Sequence, residues 1–191
     1  MLIQPVQLSK RSGNFALFDL GFRPFFLGAA LFAVLSITVW IASYLTGFSL
    51  QIKSISAMQW HAHEMLYGYG LAVIAGFLLT AVKNWTGMQT LHGKPLIGLF
   101  ALWASARLLM LTGTSFLLLA ALLDLLFGLI LLVAVCSPIV KARQWKQLAA
   151  VSKLLLIIVG NTLFYLGAAG YFEHGVYLSI YGGVYLIISL I

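Results

Sequence analysis

The sequence predicts an all-α, polytopic transmembrane helix bundle, and three observations carry that prediction. The 191 residues are 62% hydrophobic and only 8% charged, where a soluble domain has about 25% charged residues. The apolar residues fall into six runs, at 25–47, 62–82, 96–112, 115–138, 148–171 and 175–191. Each is close to the roughly 17–25 residues that cross a bilayer, and backbone groups in lipid must be satisfied within their own segment, so the runs are read as helices. Finally, the basic residues are segregated. Lys10, Arg11, Arg23, Lys83, Lys94, Lys141, Arg143 and Lys146 fall on the amino-terminal segment and the second and fourth connections, whereas the other connections carry only Lys53. Lysine and arginine stay cytoplasmic, so the amino terminus is expected in the cytoplasm, and the first, third and fifth connections outside. The net charge of +7 is thereby a topology signal, with the lipid bilayer as partner and no nucleic acid.

Helix 1 opens at Gly21-Phe22-Arg23-Pro24-Phe25-Phe26, and proline is well tolerated in a first helical turn. Arg23 sits at the cytoplasmic edge, as a topology anchor or as a holder of a lipid phosphate or haem propionate. The run that follows exceeds the roughly 7–15 apolar residues of a signal peptide, so it is read as a span.

Helix 2 begins beside Trp60-His61-Ala62-His63-Glu64, the most informative stretch of the chain. Imidazole is the commonest ligand for haem iron and copper. On a helix, side chains two residues apart point about 200° from each other, so His61 and His63 cannot easily grip one metal from one regular turn. They serve two sites, or one ligates while the other hydrogen-bonds. His61 shares a face with Glu64, and His63 shares the other with Tyr67. The competing reading is an interfacial anchor built around Trp60. Below, Gly68, Ala72, Gly76 and Thr80 recur every four residues; such a stripe seats a second helix or the flat face of a macrocycle. Tyr67 and Tyr69 are either ligand hydrogen-bond donors or part of an aromatic belt. Asn84 or Gly87 can supply a left-handed cap where the helix ends.

Helices 3 and 4 each carry one buried charge. Arg107 is roughly 8 Å and Asp124 roughly 13 Å from the outer boundary at 1.5 Å per residue. Their connection is short, so the helices are antiparallel neighbours and an Arg107–Asp124 pair is expected; lone charges at that depth cost several kcal/mol, on the order of 3 each. In helix 5, Lys153 can snorkel to the inner boundary, and Asn161 is expected to bond a neighbouring helix. His174 follows Glu173 in the last outer connection, where it completes a metal site with His61 and His63 or is plain surface. His92 lies in the second connection and reads as solvated. The single cysteine, Cys136, cannot form an intrachain disulfide, and no Cys-x-x-Cys spacing occurs. No P-loop, dinucleotide fingerprint or Ser-His-Asp arrangement is present. Residues 1–191 are read as one transmembrane domain. The last run stops at Leu190-Ile191 without a polar flank, so the chain is expected to be the amino-terminal half of a longer protein.

Three motifs, in this order and spacing, carry a family resemblance: Gly21-Phe22-Arg23-Pro24-Phe25-Phe26-Leu27, then Trp60-His61-Ala62-His63-Glu64-Met65, then Gly76-Phe77-Leu78-Leu79-Thr80-Ala81-Val82 followed by Asn84-Trp85-Thr86-Gly87. Together they resemble the NnrS family of haem–copper membrane proteins. The resemblance implies a multi-pass protein of the bacterial inner membrane, with haem and copper as cofactors and nitric oxide as a ligand. It places the chain in denitrification and in protection against nitrosative stress. His61 and His63 become the leading metal ligands, Glu64 a supporting or proton-handling group, and Arg23 a structural or propionate contact. Lys83 stands where the family usually has proline, Tyr67 and Tyr69 replace phenylalanines, and a carboxy-terminal half with its own glycine–arginine–proline–phenylalanine motif is expected beyond this sequence. Whether nitric oxide is transformed or sequestered is left open, and with it whether the protein is an enzyme. The alternative is a cofactor-free small-molecule or proton-coupled transporter, in which Arg107, Asp124 and the outer histidines line the path.

Overall fold

All six apolar runs form helices in the computed structural model, which describes residues 16–47 and 54–189. Lys10, Arg11, Lys53 and the terminal pair Leu190-Ile191 lie outside the described residues. The helices are α1 (Phe22–Leu45), α2 (Ala57–His63), α3 (Leu71–Thr86), α4 (Lys94–Met110), α5 (Leu117–Lys141), α6 (Leu148–Ala168) and α7 (Gly175–Ile188). A π-helical segment, Glu64–Gly70, joins α2 to α3 in one continuous rod. Among the described residues, four rods are long and apolar enough to cross a membrane: Phe22–Leu45, Ala57–Thr86, Leu117–Lys141 and Trp145–Ala168. The other two are shorter, 17 residues in α4 and 14 in α7.

The rod containing the histidines starts at Ala57, not near 62 as hydropathy alone suggests. Ser56 explains the difference. Its side chain accepts the Gln59 N–H at 3.2 Å, and the Gln59 side chain accepts the Ser56 N–H at 2.8 Å. This reciprocal box satisfies two backbone donors that a helix start leaves open, so the polar turn ahead of the apolar run is already helical. At the far end Gly87 adopts φ +69° and returns its N–H to Lys83 O at 2.9 Å, a left-handed cap that glycine enters without a Cβ clash.

The small-residue stripe packs against α1. A Cβ on Gly76 would stand 2.9 Å from the Phe26 ring and 3.1 Å from the Phe22 Cα, and one on Gly68 would stand 2.8 Å from the Phe32 ring. The stripe therefore seats a helix, and α1 covers the face that a macrocycle would otherwise use.

Two apolar layers fill the interior. One contains Phe25, Leu71, Leu78, Phe127, Leu131 and Ile157. The second contains Trp60, Met110, Leu117, Ala120, Phe164 and Val176. On each of four rods a polar residue falls between the layers: Glu64 between Trp60 and Tyr67, Arg107 between Trp103 and Met110, Asp124 between Ala120 and Phe127, and Asn161 between Ile157 and Phe164. Glu64, Asp124 and Asn161 are each seven residues from the end of their rod at Ala57, Leu117 and Ala168, roughly 10 Å at the helical rise. The polar residues thus form one level across the bundle, near the end opposite Lys83, Lys94 and Lys141.

Candidate functional site

Glu64 is the centre of the polar level. The π-helical turn begins at this residue; its i→i+5 bonds widen the helix and redirect the side chains, a departure frequent at functional sites. Both His63 and Glu64 are wholly buried. Arg107, from α4, directs one guanidinium nitrogen, NH1, at both Glu64 carboxylate oxygens, 3.1 Å from each. Its other terminal nitrogen, NH2, stands 2.5 Å from Asp124 Oδ2 on α5. One cation therefore bridges two carboxylates on two different rods. Asp124 Oδ2 also accepts from Asn161 Nδ2 at 2.9 Å and from the Tyr165 hydroxyl at 3.1 Å. A carboxylate oxygen is the acceptor that such a convergence of donors calls for.

His63 closes the ring. Its Nε2 donates to Asn161 Oδ1 at 2.9 Å, and its Nδ1 shares a hydrogen bond with Glu64 Oε1 at 3.0 Å. The Asn161 amide thereby links the imidazole to Asp124. The Phe164 ring lies against the imidazole with centroids 4.1 Å apart, and the Tyr165 ring meets it edge-on at 5.3 Å. Both ring nitrogens of His63 are engaged in this arrangement.

His61 points elsewhere, as two-residue spacing requires. It faces α1, with its ring stacked on Trp40 at 4.7 Å and 18°, and Ser36 Oγ 3.4 Å from Nδ1. It is half-buried, and no hydrogen bond to Nε2 occurs among the described residues. Three-residue spacing on a regular helix puts His61 and Glu64 on one face. They do not pair, because the widened turn rotates Glu64 towards His63 and Arg107.

The remaining expected residues are dispersed. Tyr67 is fully buried; its hydroxyl donates to Ser179 O at 2.8 Å and accepts from Ser179 Oγ at 2.9 Å. It ties the π-helical turn to α7 inside the bundle. Tyr69 is the exposed member of the pair. Arg23 donates to Ala16 O at 2.6 Å and lies 6.0 Å from the Phe22 ring centre. It is thirteen residues along α1 from Ser36, the neighbour of His61, so roughly 20 Å separates them at the helical rise. Arg23 and the residues that His61 faces, Ser36 and Trp40, thus lie in opposite halves of α1. His174 and Glu173 are exposed in the α6–α7 connection. No group of three or more His, Cys, Asp or Glu side chains that could hold a metal ion occurs among the described residues. Lys153 donates to the Ser189 carbonyl, so its ammonium is used inside the bundle end.

Three members of the site carried little weight in the sequence: Tyr165, Ser179 and Trp103, whose indole N–H donates to Gly68 O at 2.9 Å. Tyr165 is four residues from Asn161, on the same face of α6, a spacing that could have flagged it. The Trp103 bond depends on a carbonyl within the π-helical turn, and nothing in the sequence announces that turn.

Comparison with curated proteins and with solved structures finds no match. The family model described as NnrS protein matches residues 16–191, which takes in α1, the histidine motif and every element of the polar level. The chain belongs to the NnrS protein family.

Proposed function

We propose that this chain is a membrane protein of nitric-oxide metabolism that binds haem and limits nitrosative damage from the outer half of the bacterial inner membrane. The observation that carries the reading is the family match together with the environment of His61. Its imidazole is held in orientation by Trp40 and Ser36, with Nε2 free of hydrogen bonds among the described residues. A haem iron needs one such nitrogen, and His61 fits that role. His63 does not, because both of its nitrogens are bonded within the polar level. Haem iron, when bound, would supply a binding site for nitric oxide. The protein's own part is to hold the His61 ring, to exclude water from the level beneath it, and to fix Glu64 beside His63. Arg23 acts as a cytoplasmic-edge anchor in this reading. Copper is implied by the family alone: the described residues do not assemble a ligand set for it.

A specific observation favours a second reading, proton-coupled or small-molecule transport without a cofactor. Asp124 Oδ1 is buried with no hydrogen-bond partner among the described residues. Ionisable side chains inside a membrane-spanning bundle mark ion and proton paths.

One experiment separates the two. Full-length protein is expressed with haem supplied and purified in detergent, and its optical spectrum is recorded before and after reduction and nitric-oxide addition. Haem binding through His61 gives a Soret band that shifts with nitric oxide, is lost in His61→Ala and is kept in His63→Asn. A colourless wild-type protein transfers the case to transport. A Soret band unchanged in His61→Ala removes His61 as the ligand.

A further inference from the structure

At the basic end of the bundle, the turn after α3 and the last turns of α5 line an open cavity of about 510 Å³. Its lining is divided by chemistry. Val133, Ala134 and Pro138 from α5 and Leu91 and Pro95 from the other side give apolar walls, and Ser137, Lys141 and His92 give a polar rim. Lys141 and His92 are exposed, whereas Pro138 is buried. His92 is held in place, with its Nδ1 3.1 Å from Thr90 O, and Thr90 is fixed in turn by donating to Leu79 O at 2.6 Å. Pro138 lies inside α5 and has no N–H to give to the carbonyl four residues back, which belongs to Ala134, a residue of the cavity wall. The cavity therefore offers a cation and a hydroxyl at its mouth and an apolar floor.

We propose that this cavity binds one anionic phospholipid, with the phosphate at Lys141 and the Ser137 hydroxyl and the acyl chain along Val133, Ala134 and Leu91. Charge complementarity selects this occupant. The same end of the bundle carries Arg23, Lys83, Lys94, Arg143 and Lys146 against Asp19 alone among its acidic residues. Basic pockets between helices on the cytoplasmic side are suited to anionic head groups, and each nearby lysine contributes a few-fold in affinity. A zwitterionic lipid brings a positive choline towards this cluster and gains nothing from it. A free phosphate ion fills the rim but leaves the apolar walls unused. The site is independent of the histidine motif and of any cofactor, at the opposite end of the bundle.

The test is native mass spectrometry of the full chain, released from detergent micelles doped with either phosphatidylglycerol or phosphatidylcholine of matched acyl chains. One phosphatidylglycerol retained in preference to phosphatidylcholine is the expected result. Retention should fall about fivefold in Lys141→Gln and fall by clearly less in Lys146→Gln, which removes the same charge outside the cavity. Ala134→Phe, which fills the apolar wall and leaves the rim intact, should reduce it as well. Equal retention of the two lipids, or equal losses in Lys141→Gln and Lys146→Gln, would overturn the proposal. So would displacement of the lipid by millimolar inorganic phosphate, which would mark a simple anion site. Circular dichroism of each variant confirms that loss of lipid is not loss of fold.

Discussion

Arg107 is the residue on which the buried level depends, because its guanidinium bridges two carboxylates on different rods. Breaking a buried ion pair by removing one partner costs about 3–5 kcal/mol, since the other charge is left uncompensated. Arg107→Met is therefore expected to lower stability by about that amount, read as a fall in midpoint in thermal unfolding of the detergent-solubilised protein. The triple change Glu64→Gln, Arg107→Met, Asp124→Asn removes the stranded charges and should recover most of the loss. A triple variant no more stable than the single one would show that the charges are not what Arg107 balances. Asn161→Leu is a gentler cut. It leaves the His63 Nε2 donor and one acceptor position on Asp124 unserved, at a cost of about 1–3 kcal/mol for a buried group left unpaired, measured in the same unfolding assay. The sequence made part of this site visible. Arg107 and Asp124 are isolated charges on two helices with a short connection, and lone charges in lipid need partners; the ion pair between them is present. The attachment of Glu64 to that pair was not visible, because regular helical geometry directs Glu64 towards His61. Only the wider π-helical turn brings it to His63 and Arg107.

Elements, unlike single side chains, are set in this bundle mainly by where a Cβ is missing. The rod Ala57–Thr86 lies close to α1 because Gly76 leaves room for Phe26 and for the backbone of Phe22. Gly76→Leu should force the two helices apart and cost about 1–3 kcal/mol, the usual range for overpacking. A Cβ added at Gly98 on α4 would meet nothing within 4 Å, so Gly98→Leu should change stability little. Comparing the two unfolding midpoints tests helix packing directly; equal losses would mean that helix propensity or membrane insertion, not the α1 contact, governs both. The six runs of apolar residues located these helices within a few residues, since the need to satisfy backbone groups in lipid leaves few alternatives. The largest discrepancy, the early start at Ala57, has a local cause. Hydropathy is silent about Ser56 and Gln59, but their three-residue spacing is the signature of a capping box, and both of its hydrogen bonds form.

The whole molecule is chemically polar along its long axis, and this asymmetry sets the orientation on which the functional reading depends. Lys83, Lys94, Lys141, Arg143 and Lys146 mark one end. The His61 face and the buried level lie towards the other, roughly 10 Å from the helix ends. If the basic end is cytoplasmic, nitric oxide arriving from outside meets His61 before it reaches the cell interior. The rod Trp145–Ala168 provides the cleanest test, because exposed residues flank it at both ends: Gln144 before it and Glu173 after it. The one native cysteine is first removed by Cys136→Ala, and Gln144→Cys and Glu173→Cys are then introduced separately. A membrane-impermeant maleimide added to intact spheroplasts should label Glu173→Cys at once, and Gln144→Cys only after the membrane is permeabilised. The reverse pattern would put the histidine face in the cytoplasm and remove the argument that the site intercepts incoming nitric oxide, while leaving the buried level and its energetics untouched. Labelling of both positions from the same side would be the more damaging result. A single helix crossing once must separate its two ends, so that outcome would mean this rod, 24 residues long and apolar enough to span, does not cross the bilayer.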